Sequence, residues 1–244
     1  MPSKRVMRKH IPNSITMLNL VSGFAATIFA SRGYNEYAAW LIIAGGIFDF
    51  CDGFAARLLK SYSVLGKELD SLADVVTFGV APGAIVFNLL SATGFPVLSS
   101  LLVAGLIPVA SAIRLAKFNN DTTQSSSFKG MATPASAFAV VSLVIAAKYG
   151  DSKVCQSLIE SPIFLKILPA FLAFMMLVNL RMFSLKFTHL RWKGNEERYL
   201  LAGISLLLLL VFRLASPPLI MAAYILISIV FTAVRSRKTP SAAS

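Results

Sequence analysis

Four of the six aspartates in this 244-residue chain lie between positions 49 and 74. They form two pairs, Asp49 with Asp52 and Asp70 with Asp74. Residues three or four apart share a helix face, so each pair would present its carboxylates in one direction. The flanking segments are strongly apolar, and a carboxylate at the centre of a membrane helix costs about 2.5–3.5 kcal/mol. Four such groups therefore indicate a site whose chemistry requires them.

Carboxylates held this close repel one another unless positive charge lies between them. All-oxygen ligands suit hard cations such as Mg²⁺, Mn²⁺ or Ca²⁺. The two histidines, His10 and His189, are isolated and have no zinc-ligand spacing. Ion pairs with Arg57, Lys60 or Lys67 are the alternative. Because there are two face-sharing pairs, the pattern favours a metal site over ion pairs.

The residues around the second aspartate suggest what the metal would act on. Gly53 and Ala56 form a wall without bulky side chains, which a phosphate-bearing group can approach. Arg57 lies four residues after Gly53 and can pair with phosphate, although a simple membrane-surface anchor is the alternative. Gly66 is interpreted as supplying the backbone freedom needed to begin the next helix. Together these residues predict a diphosphate substrate. Metal ions would stabilise the displacement at phosphorus, and one carboxylate would accept the proton of an attacking hydroxyl.

The elements that carry these residues are predicted to cross a membrane. The chain is 56% hydrophobic and only 14% charged, and about 20 apolar residues span a bilayer. We therefore predict an all-α, polytopic transmembrane bundle of about eight helices. The candidate segments are 11–31, 37–60, 68–92, 95–117, 132–149, 163–185, 199–212 and 214–234.

The basic residues predict the orientation of this bundle. The net charge of +12 comes from short clusters between apolar runs, which is the positive-inside pattern and argues against nucleic-acid binding. With eight helices, most Lys and Arg residues share one side with both termini and the acidic stretch, so we expect that side to be cytoplasmic. The other side would hold Arg32, Lys148, Lys153, Lys166 and Arg213.

Helices two and three should form an antiparallel hairpin that reverses near Ser63. This places Asp52 and Asp74 level with one another, with Asp49 about one turn deeper and Asp70 about one turn shallower. The polar loop 118–131 is long enough to cover such a site.

We expect four segments along the chain. A basic cytoplasmic segment, 1–10, precedes a six-helix core at 11–185. Residues 186–234 supply a cytoplasmic loop and two further helices, and 235–244 form a disordered basic tail.

The acidic stretch carries a motif that resembles a known family. The pattern Asp49-x2-Asp52-Gly53-x2-Ala56-Arg57-x8-Gly66-x3-Asp70-x3-Asp74 is similar to the signature of the CDP-alcohol phosphatidyltransferases. In that family a CDP-linked lipid gives its phosphatidyl group to an alcohol, and CMP leaves. The resemblance implies that the four aspartates hold two metal ions, Mg²⁺ or Mn²⁺, and that Asp74 also acts as the base.

The same resemblance implies the substrate contacts. Gly53, Arg57 and Ser63 would contact the CDP-lipid, with Ala56 and Gly66 in the same substrate-binding motif. Asn13 and Thr16 resemble family residues near the nucleotide and phosphates, and a helix cap at the start of helix one is the alternative.

Two further stretches resemble the phosphatidylserine synthase branch: GKELDSLADVVTFGVAPG and RLAKFN at 114–119. Ser71 and Val75 stand where the phosphatidylglycerophosphate branch usually has proline and lysine. The predicted enzyme makes phosphatidylserine and CMP from CDP-diacylglycerol and L-serine. Arg114 is expected to bind the serine carboxylate or lipid phosphate, with positive-inside anchoring as the alternative.

Two competing functions stay open at this point. Another alcohol acceptor, of the glycerol phosphate or inositol type, would use the same chemistry. A divalent-cation transporter would also need intramembrane acids, although here no acidic residue continues the path through other helices. The expected surroundings are the lipid bilayer, most simply a bacterial inner membrane, and the family implies a homodimer.

Overall fold

The computed structural model describes residues 4–61, 63–120, 128–182, 192 and 195–238, and helices dominate them. A π-helical segment, Val75–Val80, joins α3 to α4 without a break, and a 3₁₀ turn, Arg213–Ala215, separates α10 from α11. Two short strands, β1 (Phe128–Lys129) and β2 (Arg181–Met182), pair antiparallel. The helices are α1 Lys4–Ser31, α2 Asn35–Leu58, α3 Val64–Asp74, α4 Ala81–Ala92, α5 Val97–Ala104, α6 Leu106–Asn120, α7 Thr133–Tyr149, α8 Lys153–Glu160, α9 Pro162–Leu177, α10 Glu196–Phe212 and α11 Pro217–Lys238.

Each of the eight predicted apolar segments contains a helix. Five helical stretches are long and apolar enough to cross a bilayer: His10–Ser31, Asn35–Leu58, Val64–Ala92, Val97–Asn120 and Glu196–Ala215. The pair α8 and α9 is bent by 86°, and α7 and the apolar part of α11 (Pro217–Thr232) are shorter. The prediction of an integral, multi-pass helical membrane protein is confirmed.

Helix α1 begins at Lys4 and runs through Pro12, whereas the part of it that is apolar enough to cross a bilayer begins at His10. Residues 4–10 are therefore helical, and the cytoplasmic position of the basic segment 1–10 stays a prediction.

Close approach of helices fixes the position of the acidic stretch. A Cβ on Gly23 would collide with Thr77, and a Cβ on Gly45 would lie 2.5 Å from Thr77 Cγ2. The Thr77 hydroxyl also donates a 2.9 Å hydrogen bond to the carbonyl oxygen of Asn19. Because Thr77 is inserted between α1 and α2, Asp74, almost one turn earlier, is held against α1.

Four elements meet in a layer that we call the packing layer: Gly46, Phe78, Gly79, Ser111 and Phe138. A Cβ on Gly46 would lie 2.9 Å from the Phe138 ring, and one on Gly79 would lie 3.0 Å from Ser111 Cβ. The rings of Phe78 and Phe138 are 6.2 Å apart. This layer brings α2, α6, α7 and the π-helical segment together beneath the acidic residues.

The start of α7 is tied to the end of α9. The amide of Gly130 donates to Leu180 O at 2.8 Å, and that of Met131 donates to Met175 O at 2.8 Å. Gly130 has a φ of 79° and lies against the Met176 carbonyl, where a Cβ would collide.

Several predictions concern residues outside the described ranges. They are the covering role of the loop 118–131, of which 121–127 fall outside, and the cytoplasmic loop, of which 183–191 and 193–194 fall outside. The third is the tail predicted at 235–244, whose residues 235–238 are helical as part of α11 and whose residues 239–244 fall outside. These stay predictions.

Candidate active site

Three of the four aspartates converge. Asp49 on α2 and Asp70 and Asp74 on α3 each place a carboxylate oxygen within 4.8 Å of the others. Asp74 is buried, and the other two are half-buried. The hairpin argument predicted that neighbouring helices would gather their acids, and the structure brings these three together.

Asp52 points elsewhere. It is buried, and its Oδ2 accepts a 2.6 Å hydrogen bond from the Thr16 hydroxyl of α1. Residues three apart on a helix are offset by about 60°. Asp49 therefore meets α3 while Asp52 meets α1. Asp52 remains near enough to Asp74 for an electrostatic interaction. The hairpin argument did not predict that Asp49, and not Asp52, would lie with Asp74, and the metal-binding role of Asp52 stays a prediction.

The three-acid group suits a divalent cation. Its donors are all carboxylate oxygens, the preferred ligands of hard ions. Ligand oxygens at about 2.1 Å from Mg²⁺ lie about 3–4 Å apart, and the larger Ca²⁺ allows slightly more. Oxygens that already lie within 4.8 Å of one another need only small shifts to share an ion.

Asn19 supports the buried carboxylate of Asp74. The sequence reasoning did not identify Asn19 as a residue of the site. Its Nδ2 donates a 3.2 Å hydrogen bond to Asp74 Oδ1, and the Asn19 side chain is fully buried. A signal was present, because Asn13, Thr16 and Asn19 recur every three residues in an apolar segment and so form a polar stripe on α1.

Asn13, Ser63 and Gly66 lie together where α3 begins. Ser63 Oγ caps the helix by accepting a 2.9 Å hydrogen bond from the Gly66 amide. A Cβ on Gly66 would lie 3.0 Å from Asn13 Oδ1 and 2.9 Å from Ser63 Oγ. Gly66 has no positive φ, so the interpretation that it supplies an unusual backbone conformation is wrong. The side-chain oxygens of Ser63 and Asn13 leave little room for a larger residue at Gly66. Lys60, with a φ of 49°, lies in the chain reversal between α2 and α3.

The alternative reading of Asn13 and Thr16 as helix caps is also wrong. Helix α1 begins at Lys4, so both residues lie in its interior. Thr16 instead contacts Asp52, which links α1 to the acidic stretch.

The small-residue face of α2 is open near its end. No atom of the described residues lies within 4 Å of where a Gly53 Cβ would be, apart from the neighbouring backbone. Exposed Arg57 folds back along the same face, and its Nε donates a 3.0 Å hydrogen bond to Gly53 O. Ala56, beside them, is half-buried. A guanidinium therefore borders an open surface of the helix.

Arg114 lies inside the bundle. Only 8% of it is exposed, whereas a membrane-surface anchor would leave the guanidinium in solvent. It is close enough to Asp74 to interact electrostatically, and its guanidinium carbon is 5.9 Å from the centre of the Phe118 ring. Arg114 Nε finds no hydrogen-bond acceptor among the described residues. These observations favour a role in the site over anchoring.

The register of α6 explains how Arg114 reaches the acids. Ser111 packs against Gly79, and Pro108 packs against Gly83, so α6 runs antiparallel to the segment that follows Asp74. Arg114, three residues after Ser111, is therefore on the same side of the packing layer as Asp74.

A second contact couples α6 to α3. Asn119 Nδ2 donates a 2.8 Å hydrogen bond to Ser71 Oγ, and Lys67 Nζ donates a 2.9 Å bond to Asn119 O. Ser71 lies between Asp70 and Asp74, so this contact sets the position of α3 where it carries the acids.

The sequence of this chain is similar to those of known proteins. The family model for CDP-alcohol phosphatidyltransferase matches residues 9–178. The CDP-diacylglycerol–serine O-phosphatidyltransferase of Saccharomyces cerevisiae is 35% identical over 157 residues, which cover 58% of this chain and 55% of the yeast protein. The Mycobacterium leprae protein of the same name is 38% identical over 58% of this chain and 49% of its own.

A third relative, from Bacillus subtilis and of the same name, is 40% identical over 56% of this chain and 74% of its own. The chain thus spans about half the length of the yeast and mycobacterial relatives. The family match covers well over half of the chain and includes all four aspartates of the motif. The chain therefore belongs to the CDP-alcohol phosphatidyltransferase family.

Proposed function

We propose that this protein makes phosphatidylserine and CMP from CDP-diacylglycerol and L-serine. The observation that carries the proposal is the Asp49–Asp70–Asp74 group beside the open face at Gly53, in a chain of this family. The yeast, mycobacterial and Bacillus relatives, each named for this activity, support serine as the acceptor.

Asp49, Asp70 and Asp74 would hold Mg²⁺ or Mn²⁺, with Asp52 contributing to a second ion. Bound metal would neutralise the diphosphate and stabilise the departing CMP. Holding the metal here also offsets the repulsion between the carboxylates.

Asp74 is the base in this proposal. It accepts the proton of the serine hydroxyl, whose oxygen bonds to the β-phosphorus while the bond from that phosphorus to the CMP oxygen breaks. Asn19 donates to Asp74 Oδ1 at 3.2 Å, which fixes the orientation of the carboxylate that accepts the proton.

The diphosphate of CDP-diacylglycerol would bind at the open face of α2. The bare backbone at Gly53 allows close approach, and Arg57 beside it can rotate from Gly53 O onto phosphate oxygens. The proposed binding site for CDP-diacylglycerol also includes Ala56, Ser63, Gly66, Asn13 and Thr16.

Arg114 would bind the acceptor, L-serine. Its buried positive charge near Asp74 suits the carboxylate of serine, which would hold the serine hydroxyl close to the base.

The Lys and Arg distribution supports an active site at the cytoplasmic face. The family resemblance supports a homodimer, and we propose a bacterial inner membrane as its location.

An acceptor panel tests the proposal. The purified protein, in detergent with CDP-diacylglycerol and Mn²⁺, is given L-serine, glycerol 3-phosphate or inositol, and CMP release is measured. We expect release with L-serine alone. Release with another alcohol instead would reassign the acceptor. If no alcohol supports release and proteoliposomes take up Mn²⁺, the transferase proposal is wrong.

A further inference from the structure

Asn119, near the end of α6, bonds to α3 through two separate groups. Its side-chain Nδ2 donates a 2.8 Å hydrogen bond to Ser71 Oγ, and its main-chain oxygen accepts a 2.9 Å hydrogen bond from Lys67 Nζ. Lys67 and Ser71 are four residues apart, so they lie on one side of α3. Asp74 is seven residues after Lys67, which places it about 20° away around the helix. Asn119 therefore binds α3 beside the face that carries the buried acid.

The same two chain segments touch at a second point, in the packing layer. A Cβ on Gly79 would lie 3.0 Å from Ser111 Cβ. Ser71 is eight residues before Gly79, and Asn119 is eight residues after Ser111. Both contacts therefore fit one antiparallel register, and together they fix how the residues between them face each other across the two segments.

The proposed base and the proposed acceptor ligand lie between these two contacts. Asp74 is three residues after Ser71, so the position level with it on α6 is three residues before Asn119. Arg114 is two residues further, or about 3 Å along the helix. Asp74 and Arg114 are each only 8% exposed, and a long arginine side chain can span this offset. The spacing between the two groups therefore depends on the contacts that bracket them.

The contact at Asn119 is the weaker of the two. The packing layer is steric and buried, whereas Asn119 is half-buried and one residue from the end of α6, and helix ends fray most easily. The acid has a further tie to α1, because Asn19 Nδ2 donates to Asp74 Oδ1 at 3.2 Å. Loss of the Asn119 side chain would therefore loosen the end of α6, with Arg114, while the acid stays in place.

We propose that Asn119 is a positioning residue for acceptor binding: by bonding to Ser71, it holds the Arg114 guanidinium where the acceptor's acidic group binds beside the acids of α3. Asn119 acts through the position of α6 and does not itself contact the acceptor. The inference rests on the proposed function, in which Arg114 binds the acceptor.

Asn119→Ala removes the hydrogen bond, and Asn120→Ala is the matched control. Asn120 is the same residue type one position later and is exposed, and its Nδ2 donates a 3.0 Å hydrogen bond to Ala116 O of its own helix. Each variant loses one amide side chain at the end of α6, but of these two side-chain bonds only that of Asn119 reaches α3. Ser71→Ala removes the same hydrogen bond from the other side.

The readouts are the KM for L-serine, the KM for CDP-diacylglycerol and the Mn²⁺ concentration for half-maximal CMP release. In Asn119→Ala and in Ser71→Ala we expect the serine KM to rise about fivefold to tenfold, as for the loss of one hydrogen bond, with the other two values unchanged. The double variant should show no larger rise than either single variant, since both remove one interaction. Asn120→Ala should match the wild type in all three values.

Four results would overturn the inference. The first is an unchanged serine KM in Asn119→Ala. The second is a raised serine KM in Asn119→Ala beside a normal one in Ser71→Ala, because the hydrogen bond between them would then not be the cause. The third is a fully additive rise in the double variant, which would show two independent effects. The fourth is an equal rise in both KM values, which would indicate a general loss of structure.

The wild-type acceptor panel separates this inference from the proposed function. If the wild type uses L-serine but Asn119→Ala binds it normally, only the positioning role fails. If the wild type uses glycerol 3-phosphate instead, serine is the wrong acceptor, and the same KM comparison with that alcohol decides the role of Asn119. If the wild type uses no alcohol, or only inositol, no acidic acceptor exists for Arg114, and the positioning role is overturned with the serine assignment.

Discussion

Thr16 donates a 2.6 Å hydrogen bond to Asp52 Oδ2, and both groups are buried between α1 and α2. This contact joins Asp52 to α1, whereas Asp49 of the same helix lies with Asp70 and Asp74 of α3. A hydrogen bond to a charged group contributes about 1.5–3 kcal/mol, so Thr16 decides the direction in which Asp52 points.

Thr16→Val removes the hydroxyl but keeps the shape of the side chain. We expect kcat for CMP release at saturating substrates to fall about tenfold or more, because Asp52 loses its orienting partner. Thr16→Ser keeps the hydroxyl and should retain most of the activity. Equal rates for Thr16→Val and wild type would show that the orientation of Asp52 does not matter.

Asp49→Asn and Asp70→Asn each weaken the proposed cation site. We expect the Mn²⁺ concentration for half-maximal CMP release to rise by about tenfold or more, since even residues that only support metal ligands contribute 10–100-fold. Glu68→Gln is the matched control, because Glu68 is an exposed acid on α3, the helix that carries Asp70. If Glu68→Gln has the same effect, the response comes from overall charge and not from the three-acid group.

Asp74→Asn separates proton transfer from binding. Loss of a general base slows a reaction by about 100- to 10,000-fold, so we expect turnover to drop at least about 100-fold. Binding of Mn²⁺ and CDP-diacylglycerol, measured by titration calorimetry, should remain measurable. Turnover above one tenth of the wild-type rate would exclude Asp74 as the base.

Two glycine-to-alanine variants should behave oppositely. A methyl on Gly23 collides with Thr77, and overpacking of this kind costs about 1–3 kcal/mol. We therefore expect Gly23→Ala to lower the Tm in detergent. Gly53→Ala adds a methyl where no described residue lies within 4 Å, so its Tm should match the wild type.

Gly53→Ala should instead raise the KM for CDP-diacylglycerol several-fold, because the methyl enters the space proposed for the diphosphate. A lowered Tm with an unchanged KM would place Gly53 among packing glycines and remove it from the substrate site.

Periodicity and apolar length were sufficient to locate the long apolar helices and to pair Asp70 with Asp74, but they missed the short helix α8 (Lys153–Glu160). They could not decide which of Asp49 and Asp52 joins that pair. The two differ by about 60° around α2, and the outcome depends on whether α1 or α3 lies at each angle. The neighbours of a helix are set by tertiary packing, which a single helical pattern does not contain.

The supporting contacts were harder to predict for the same reason. Asn19 and Asn119 each bond to α3 from a different helix. The polar stripe on α1 could have identified Asn19, but Asn119 follows a basic cluster and resembles a surface residue.

The most direct test is electron–nuclear double resonance on Mn²⁺ bound to the purified protein together with CDP-diacylglycerol. It asks whether the cation held by Asp49, Asp70 and Asp74 contacts the diphosphate of the lipid. We expect a strong ³¹P coupling in the wild type that disappears in Asp49→Asn and Asp70→Asn at the same Mn²⁺ concentration. Bound Mn²⁺ without ³¹P coupling while the lipid is also bound, or a coupling that survives both substitutions, would contradict a shared cation at these three acids.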